Sequence, residues 1–394
     1  MSYTVATPTI TPEFKIGERN LFVTDNNTKV VIALKQNNSP AAWRSTDAGQ
    51  TWTEHLPFTE LSGTYHHISG ALAPNGIIHV FSFFVQTSPA LYFWIYNTFN
   101  PATGSWTAEE TVTTSSFGTI DYMHHDIAVD DDNFPHIVYM DVSLSRTGAV
   151  YTIIYRHKRS GSWSSGVSVA TQAWWPRITI AKPIVDISPV RPIVAYGRHR
   201  SAFPNTYNEL QVSYGNALAA TSFISSGVIE TFYVNPGPGL PPNGTRDHIS
   251  ILNAKNQTYV HLAIQAEVGV GVVTHYQNDP WNSWSGALVD DSTIGARMSM
   301  TEANDNLYIL RQLSPGVKLS SRIGYGCSWG TENLITATNA NVRASWPGRR
   351  REHHLELAFR DDDKFKYAKF PLKGARRELG ENFSGRSLGG TALR

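Results

Sequence analysis

Ser45, Asp47, Gly49, Thr51 and Trp52 fall in one eight-residue stretch, and this spacing constrains the fold more than any other feature of the chain. It describes a hairpin turn that satisfies itself. Asp47 can accept hydrogen bonds from the turn backbone, Gly49 permits a left-handed residue, and Trp52 can tuck under the hairpin it closes. Weaker echoes of the turn recur at Ser105–Trp106, Ser162–Trp163, Ser283–Trp284 and Ser328–Trp329. A closing turn that returns along a chain is the mark of a repeated β unit.

The unit recurs every 40 to 70 residues or so, in the period range of propellers. Each unit opens with an alternating strand, then a turn, a strand rich in Val, Ile and Tyr, a loop, a third strand and the Trp-closed turn. The clearest unit has strands at 67–72, 77–81 and 91–96, and the next has them at 125–129, 136–139 and 151–155. Further units start near Asn20, Arg177, His248, Arg297 and Val342. The last has no obvious fourth strand, and the segment Tyr3–Ile10 has no partner in the first. Pairing the two would close a ring and remove two exposed sheet edges. The expected fold is therefore all-β: a seven-bladed β-propeller with six blades as the alternative, one domain over residues 1–375, and a polar tail or capping segment over 376–394.

Composition agrees with strands joined by tight turns. Charged residues are 16% of the chain and aromatics 11%, against a usual charged share of about a quarter. Lys and Arg number 33 against 32 Asp and Glu, so no basic field exists for nucleic acid. Cys327 is the single cysteine, which excludes an internal disulfide and a cysteine-based metal cluster. The N-terminus lacks the basic start and apolar run of a signal peptide, and no segment is apolar for the length of a membrane helix. The expectation is cytoplasmic synthesis with later release or assembly, no membrane insertion, no metal and no cofactor.

A propeller sorts its residues by face. First strands line the central channel, and the Trp-closed turns lie at one end of it. First-strand starts and second-strand ends then meet at the other end, where a ligand would bind. Those positions hold His66 and His67, His124 and His125, Trp175 and Arg177, Arg198, His248, Arg297, Arg311, Arg343 and Arg360. Arg forks bind carboxylates or sulfates bidentately, and aromatic faces suit sugar rings, so the pattern points to an acidic glycan. His79, His136 and His261 recur inside second strands and are expected to be structural. The acidic run Asp130–Asn133 falls in a first turn and is expected to be a plain hairpin rather than a calcium loop.

The spacing at Ser45, Asp47, Gly49 and Trp52 resembles the Asp-box of bacterial-neuraminidase-type repeats, and the whole chain resembles the Asp-box propeller superfamily of sialidases, polysaccharide lyases and lectins. The resemblance implies that the box joins third and fourth strands on the face away from ligand. Sialidases carry an Arg-Ile-Pro motif before their first box; here that region holds Glu18, Arg19 and Asn20, which argues against a sialidase. The lyases that cleave uronate-containing polysaccharides are more similar. They imply a His at a first-strand start, a His ending the second strand, a Tyr starting the next blade and an Arg ending its second strand. His67 and Tyr122 fit two of these roles in one register, and His125 and Arg198 fit two in the next. In the second register His125 would be the base and Arg198 the cation that neutralises the carboxylate. The sequence thus supports a glycan-recognising propeller, with a polysaccharide lyase, and a structural or adhesive part of a larger particle, as alternatives.

Overall fold

The computed structural model describes residues 3–5, 20–35, 38–57, 63–87, 90–115, 124–145, 148–181, 190–202, 205–232, 249–253, 260–265, 273–279, 283–290, 297–303, 306–313, 316–322, 328–335, 341–344, 354–361 and 364–371. Among them every regular element is a strand, and none is a helix. The strands form seven antiparallel sheets. Sheet I holds β2 (Leu21–Val23), β3 (Lys29–Leu34), β4 (Pro40–Ser45) and β5 (Thr53–His55), and the short β1 (Tyr3–Val5) lies outside it. Sheet II holds β6 (Gly63–Leu72), β7 (Ile78–Thr87), β8 (Ala90–Asn100) and β10 (Glu110–Ser115), with β9 (Ser105–Trp106) also on β8. Sheet III holds β11 (His125–Val129), β12 (Pro135–Ser145), β13 (Gly148–His157) and β14 (Val167–Thr171). Sheet IV holds β15 (Ala173–Ala181), β16 (Arg191–Ala202), β17 (Asn205–Gly215) and β18 (Phe223–Phe232). Sheet V holds β19 (Ile249–Asn253), β20 (Val260–Gln265), β21 (Val273–Asp279) and β22 (Ser283–Asp290). Sheet VI holds β23 (Arg297–Ala303), β24 (Asn306–Leu313), β25 (Gly316–Arg322) and β26 (Gly330–Ile335). Sheet VII holds β27 (Asn341–Ala344), β28 (His354–Asp361) and β29 (Lys364–Pro371), and β1 is its outer strand.

Successive sheets meet through their inner strands, in the arrangement of a β-propeller: β6 against β11, β11 against β15, β15 against β19, β19 against β23, and β23 against β27. The apolar alternation of each strand feeds the joints between sheets. Phe81, Phe83 and Trp94 of sheet II pack with Ile137, Tyr139 and Ile153 of sheet III in one continuous core. Sheet VII returns to sheet I, where Tyr367 is buried among Leu21, Val31 and Trp43. There Lys29 Nζ lies 2.7 Å from both carboxylate oxygens of Glu356. β1 pairs antiparallel with β29, Tyr3 opposite Lys369 and Val5 opposite Tyr367. The rest of the expected N-terminal strand, residues 6–10, and the expected tail from 376 lie outside the described residues.

The turn at 45–52 joins β4 to β5, as its sequence requires. Asp47 accepts from the Thr51 amide at 2.8 Å and from the Thr51 hydroxyl, while Ser45 Oγ accepts from the Gly49 amide at 2.8 Å. These bonds, the Thr51 hydroxyl first, hold the Asp47 carboxyl down to about 2. Gly49 has a φ of 90° and sits where a Cβ would come within 2.5 Å of the Tyr367 ring. Trp52 donates to the Gly49 carbonyl at 3.1 Å, and its ring also meets Tyr367 at 5.6 Å. The indole therefore does more than close its own hairpin: it seats sheet I on sheet VII. Trp163 of sheet III meets Tyr96 of sheet II in the same manner, at 5.2 Å.

A second repeated device lies beside it. His79 Nδ1 is 2.7 Å from the Tyr96 hydroxyl, and His136 Nδ1 is 2.7 Å from the Tyr155 hydroxyl. Each His sits two residues before the partner of that Tyr in the ladder, and the same register position holds Lys29 in sheet I and Glu356 in sheet VII. His79 and His136 are structural, as the sequence suggested. Burial lowers His79 to about 4 and lowers His136 as well. The acidic run is a hairpin: Asp130 accepts from the amides of Asp132 and Phe134 and from His136 Nε2, and it also pairs with Arg159.

Candidate functional site

First-strand starts and second-strand ends do converge at one end of sheets II to IV. The hairpins β12–β13 and β16–β17 run beyond the inner strands, to Ser145 and Ala202, and raise a lip there. At the other end of the inner strands, Ala71, Leu72, Ala128, Val129, Thr179, Ile180 and Asn253 surround a small cavity of about 90 Å³, which places these strands around a common axis.

Among the described residues, most of the side chains expected at the site are enclosed. His67, His125 and Trp175 are each only 5% exposed. His67 lies 5.7 Å from His124 and 6.2 Å from His125, ring to ring. His125 packs edge-on against Phe81 and Trp94, and its Nε2 proton is given to the Phe81 carbonyl at 2.9 Å. His124 and His125 are both buried, with His124 just before β11.

A physical reason for this burial is visible in the joints. Neighbouring sheets share no ladder, so backbone groups facing a joint need side-chain partners. Arg177 Nε donates to the Ile249 carbonyl of sheet V at 3.1 Å, and Asp126 accepts from the Ile178 amide of sheet IV at 2.9 Å. Ser250 accepts from the Met300 amide of sheet VI at 3.2 Å. His125 makes the same kind of stitch to sheet II. Arg177 and His125, expected at a ligand, thus already serve the joints. Arg311 is fully buried in sheet VI, where desolvation lowers it to about 10.

Trp175 has a φ of 56° and lies in a bulge of β15, between Trp174 and Arg177. A left-handed Trp before Pro176 is strained. Gly197 makes room for it, since a Cβ there would lie 3.1 Å from Trp175 and 3.2 Å from Trp174. The stacking surface expected of Trp175 is therefore covered, and the bulge serves to re-aim the strand start.

Arg198 differs from these. It is only partly buried and lies level with the first residue of the inner strand of sheet IV, opposite Ala173 and Glu209 in the ladders. His66, Gln86 and Asp141 are also partly exposed at this end. The backbones of Arg297, Arg343 and Arg360 fall in β23, β27 and β28, but their side chains, with Tyr122 and His248 entirely, lie outside the described residues. Tyr92, not singled out from the sequence, is also partly exposed at this end, its ring parallel to that of Phe83 within 3° at a centroid distance of 5.9 Å. Among the described residues no group of three or more His, Cys, Asp or Glu side chains is placed to hold a metal ion. No described helix is long and apolar enough to cross a membrane.

The fold defines the class: this is a β-propeller. No family model matches the chain, and a search of curated proteins finds no relative. Among solved structures, the polysaccharide lyase Uly1 is similar with a TM-score of 0.55 at 10% identity, over 94% of this chain and 92% of that one. The SapL1 lectin in complex with alpha methyl fucoside matches at a TM-score of 0.45 and 10% identity, over 82% of this chain and 98% of that one. Trypanosoma rangeli sialidase in complex with sialic acid matches at 0.48 and 9% identity, over 94% of this chain and 57% of that one.

Proposed function

We propose that the chain is a glycan-binding propeller of the Asp-box type, that its seven sheets are seven blades closed by the N-terminal strand, and that an acidic glycan is held at the lip opposite the Trp-closed turns. The observation that carries the reading is Arg198, a partly exposed guanidinium at the end of sheet IV where β15 starts and from which the β16–β17 hairpin extends to Ala202. A fork in that position suits a carboxylate or sulfate. His67, His125, Trp175 and Arg177 lie within the joints, and Tyr122, His248, Arg297, Arg343 and Arg360 remain candidates to extend the contact. A glycan array followed by titration calorimetry tests the reading. Arg198→Ala should weaken acidic-glycan binding about tenfold to a hundredfold, the weight of a charge-assisted hydrogen bond. Arg198→Lys should restore only part of it. Unchanged affinity in Arg198→Ala would remove Arg198 from the site and leave a structural or adhesive part of a larger assembly as the better reading.

The fold likeness to the lyase Uly1 over nearly the full chain favours a second reading, polysaccharide lysis of a uronate-containing glycan. His125 would take the C5 proton and Arg198 would neutralise the carboxylate. With its Nε2 proton given to Phe81, His125 has Nδ1 as its accepting atom. Absorbance of an unsaturated uronate product, present in the wild type and lost in His125→Ala, separates lysis from binding alone.

A further inference from the structure

Two side chains at the lip between sheets II and III take no part in the stitching. Trp94 of β8 meets Tyr139 of β12 at 5.0 Å across that joint. Side chains two residues apart along a strand share a face. The next residues toward the lip on these two faces are Tyr92 and Asp141, so they come next in register on the two sides of the joint. Tyr92 runs parallel to the offset ring of Phe83, with 5.9 Å between centroids and 3° between planes, and remains partly exposed. Asp141 is partly exposed too. Its Oδ1 accepts from the Val142 amide at 3.0 Å, and among the described residues Oδ2 meets no donor. Burial pushes this carboxyl up, against the pull of the Val142 amide and the Arg156 charge.

We propose that Tyr92 and Asp141 form a subsite for a neutral sugar residue, one that neighbours the acidic residue taken by Arg198. The assignment rests on the glycan reading and specifies the ligand further. A fixed aromatic face offers a platform for the C–H face of a pyranose. Oδ2 is an acceptor waiting for a hydroxyl pair. A uronate or sulfate there would meet a like charge in a partly desolvated place, so the subsite rejects anions. Arg198, on sheet IV, has the opposite preference. The ligand class that satisfies both is a glycan carrying neutral and acidic residues in one chain.

Calorimetry on the full chain tests this with three probes: a mixed neutral–acidic oligosaccharide, a purely acidic one and neutral methyl glycosides. Tyr92→Ala and Asp141→Asn should each weaken the mixed and neutral probes by about tenfold or more, as expected for a lost hydrogen bond to a charged group or its platform. Both should leave the purely acidic probe unchanged. Tyr92→Phe keeps the ring and should bind as the wild type does, which controls for folding. Equal loss on all three probes, or wild-type binding of the mixed probe by Tyr92→Ala and Asp141→Asn, overturns the subsite. If Arg198→Ala still abolishes acidic binding in that case, the subsite alone falls. If no probe binds the wild type, the glycan reading falls with it.

Discussion

The contact between sheets VII and I gives the sharpest quantitative expectation. Lys29 is 0% exposed and Glu356 1% exposed. The ammonium donates to both carboxylate oxygens at 2.7 Å and to Asn27 Oδ1 at 3.1 Å, which uses all three of its protons. Glu356→Gln replaces one acceptor oxygen with a donor that opposes the ammonium and leaves a buried charge uncompensated. Removing one member of such a pair costs about 3–5 kcal/mol. An unfolding entropy of about 2.1 cal/mol/K per residue gives roughly 0.8 kcal/mol/K for a chain of 394 residues, so about 4 kcal/mol corresponds to roughly 5 °C in Tm. The double variant Lys29→Met with Glu356→Leu has no buried charge, and should return to within about 1 kcal/mol of wild type or exceed it. Urea unfolding followed by tryptophan fluorescence, paired with scanning calorimetry, measures both. A Glu356→Gln protein that melts with the wild type would refute the reasoning. So would a double variant as unstable as the single one.

Other outcomes follow from the same geometry. Asp47→Ala should lower stability by about 1–3 kcal/mol through loss of the turn network, while glycan affinity measured on the folded protein stays unchanged; a large affinity loss at constant Tm would contradict this. His79 is lowered to about 4 from an ordinary 6.5, so between those values the unfolded chain binds more protons than the folded one. Its contribution is fully present above about pH 6.5 and is lost as pH falls toward about 4, by roughly 3 kcal/mol in all. Urea midpoints across that range should fall with acidification, and His79→Gln should flatten the slope. Deleting residues 1–12 should bare the β29 edge, lower Tm and promote self-association, as light scattering would show; an unaltered melt would argue against closure by this strand.

The architecture was more legible in the sequence than the site was. Strand alternation and the recurrent Trp turn located the inner strands of most sheets to within a few residues, because both signals are local. The partnership of Trp52 with Tyr367 was not legible, since it joins residues far apart in the chain and depends on which sheets become neighbours. The position shared by Lys29, His79, His136 and Glu356 was seen only where it held His. Its meaning lies in the joint between sheets, and a sequence read one unit at a time does not show that joint. Nor could residue type alone show that Trp175 is buried, since that depends on its positive φ and on the room left by Gly197.

The burial of His125 and Arg177 has a general cause in this fold. Within a sheet the ladder satisfies the backbone, but between sheets nothing does so by default. Polar side chains on inner strands must therefore reach across, as Arg177 does to Ile249 and Asp126 does to Ile178. A propeller joint consequently recruits the residue types that also bind glycans, and it places them at the strand starts where a ligand is sought. Residue chemistry cannot separate the two uses, whereas exposure at the raised hairpins can. On the proposed glycan reading, the partly exposed Arg198, Asp141 and Tyr92 would meet the ligand, while the buried His67, His124 and His125 lie among the sheet joints. Loss of Arg198, Asp141 or Tyr92 should change which glycans bind, whereas loss of a joint contact such as that of Arg177 with Ile249 should lower the stability of the ring.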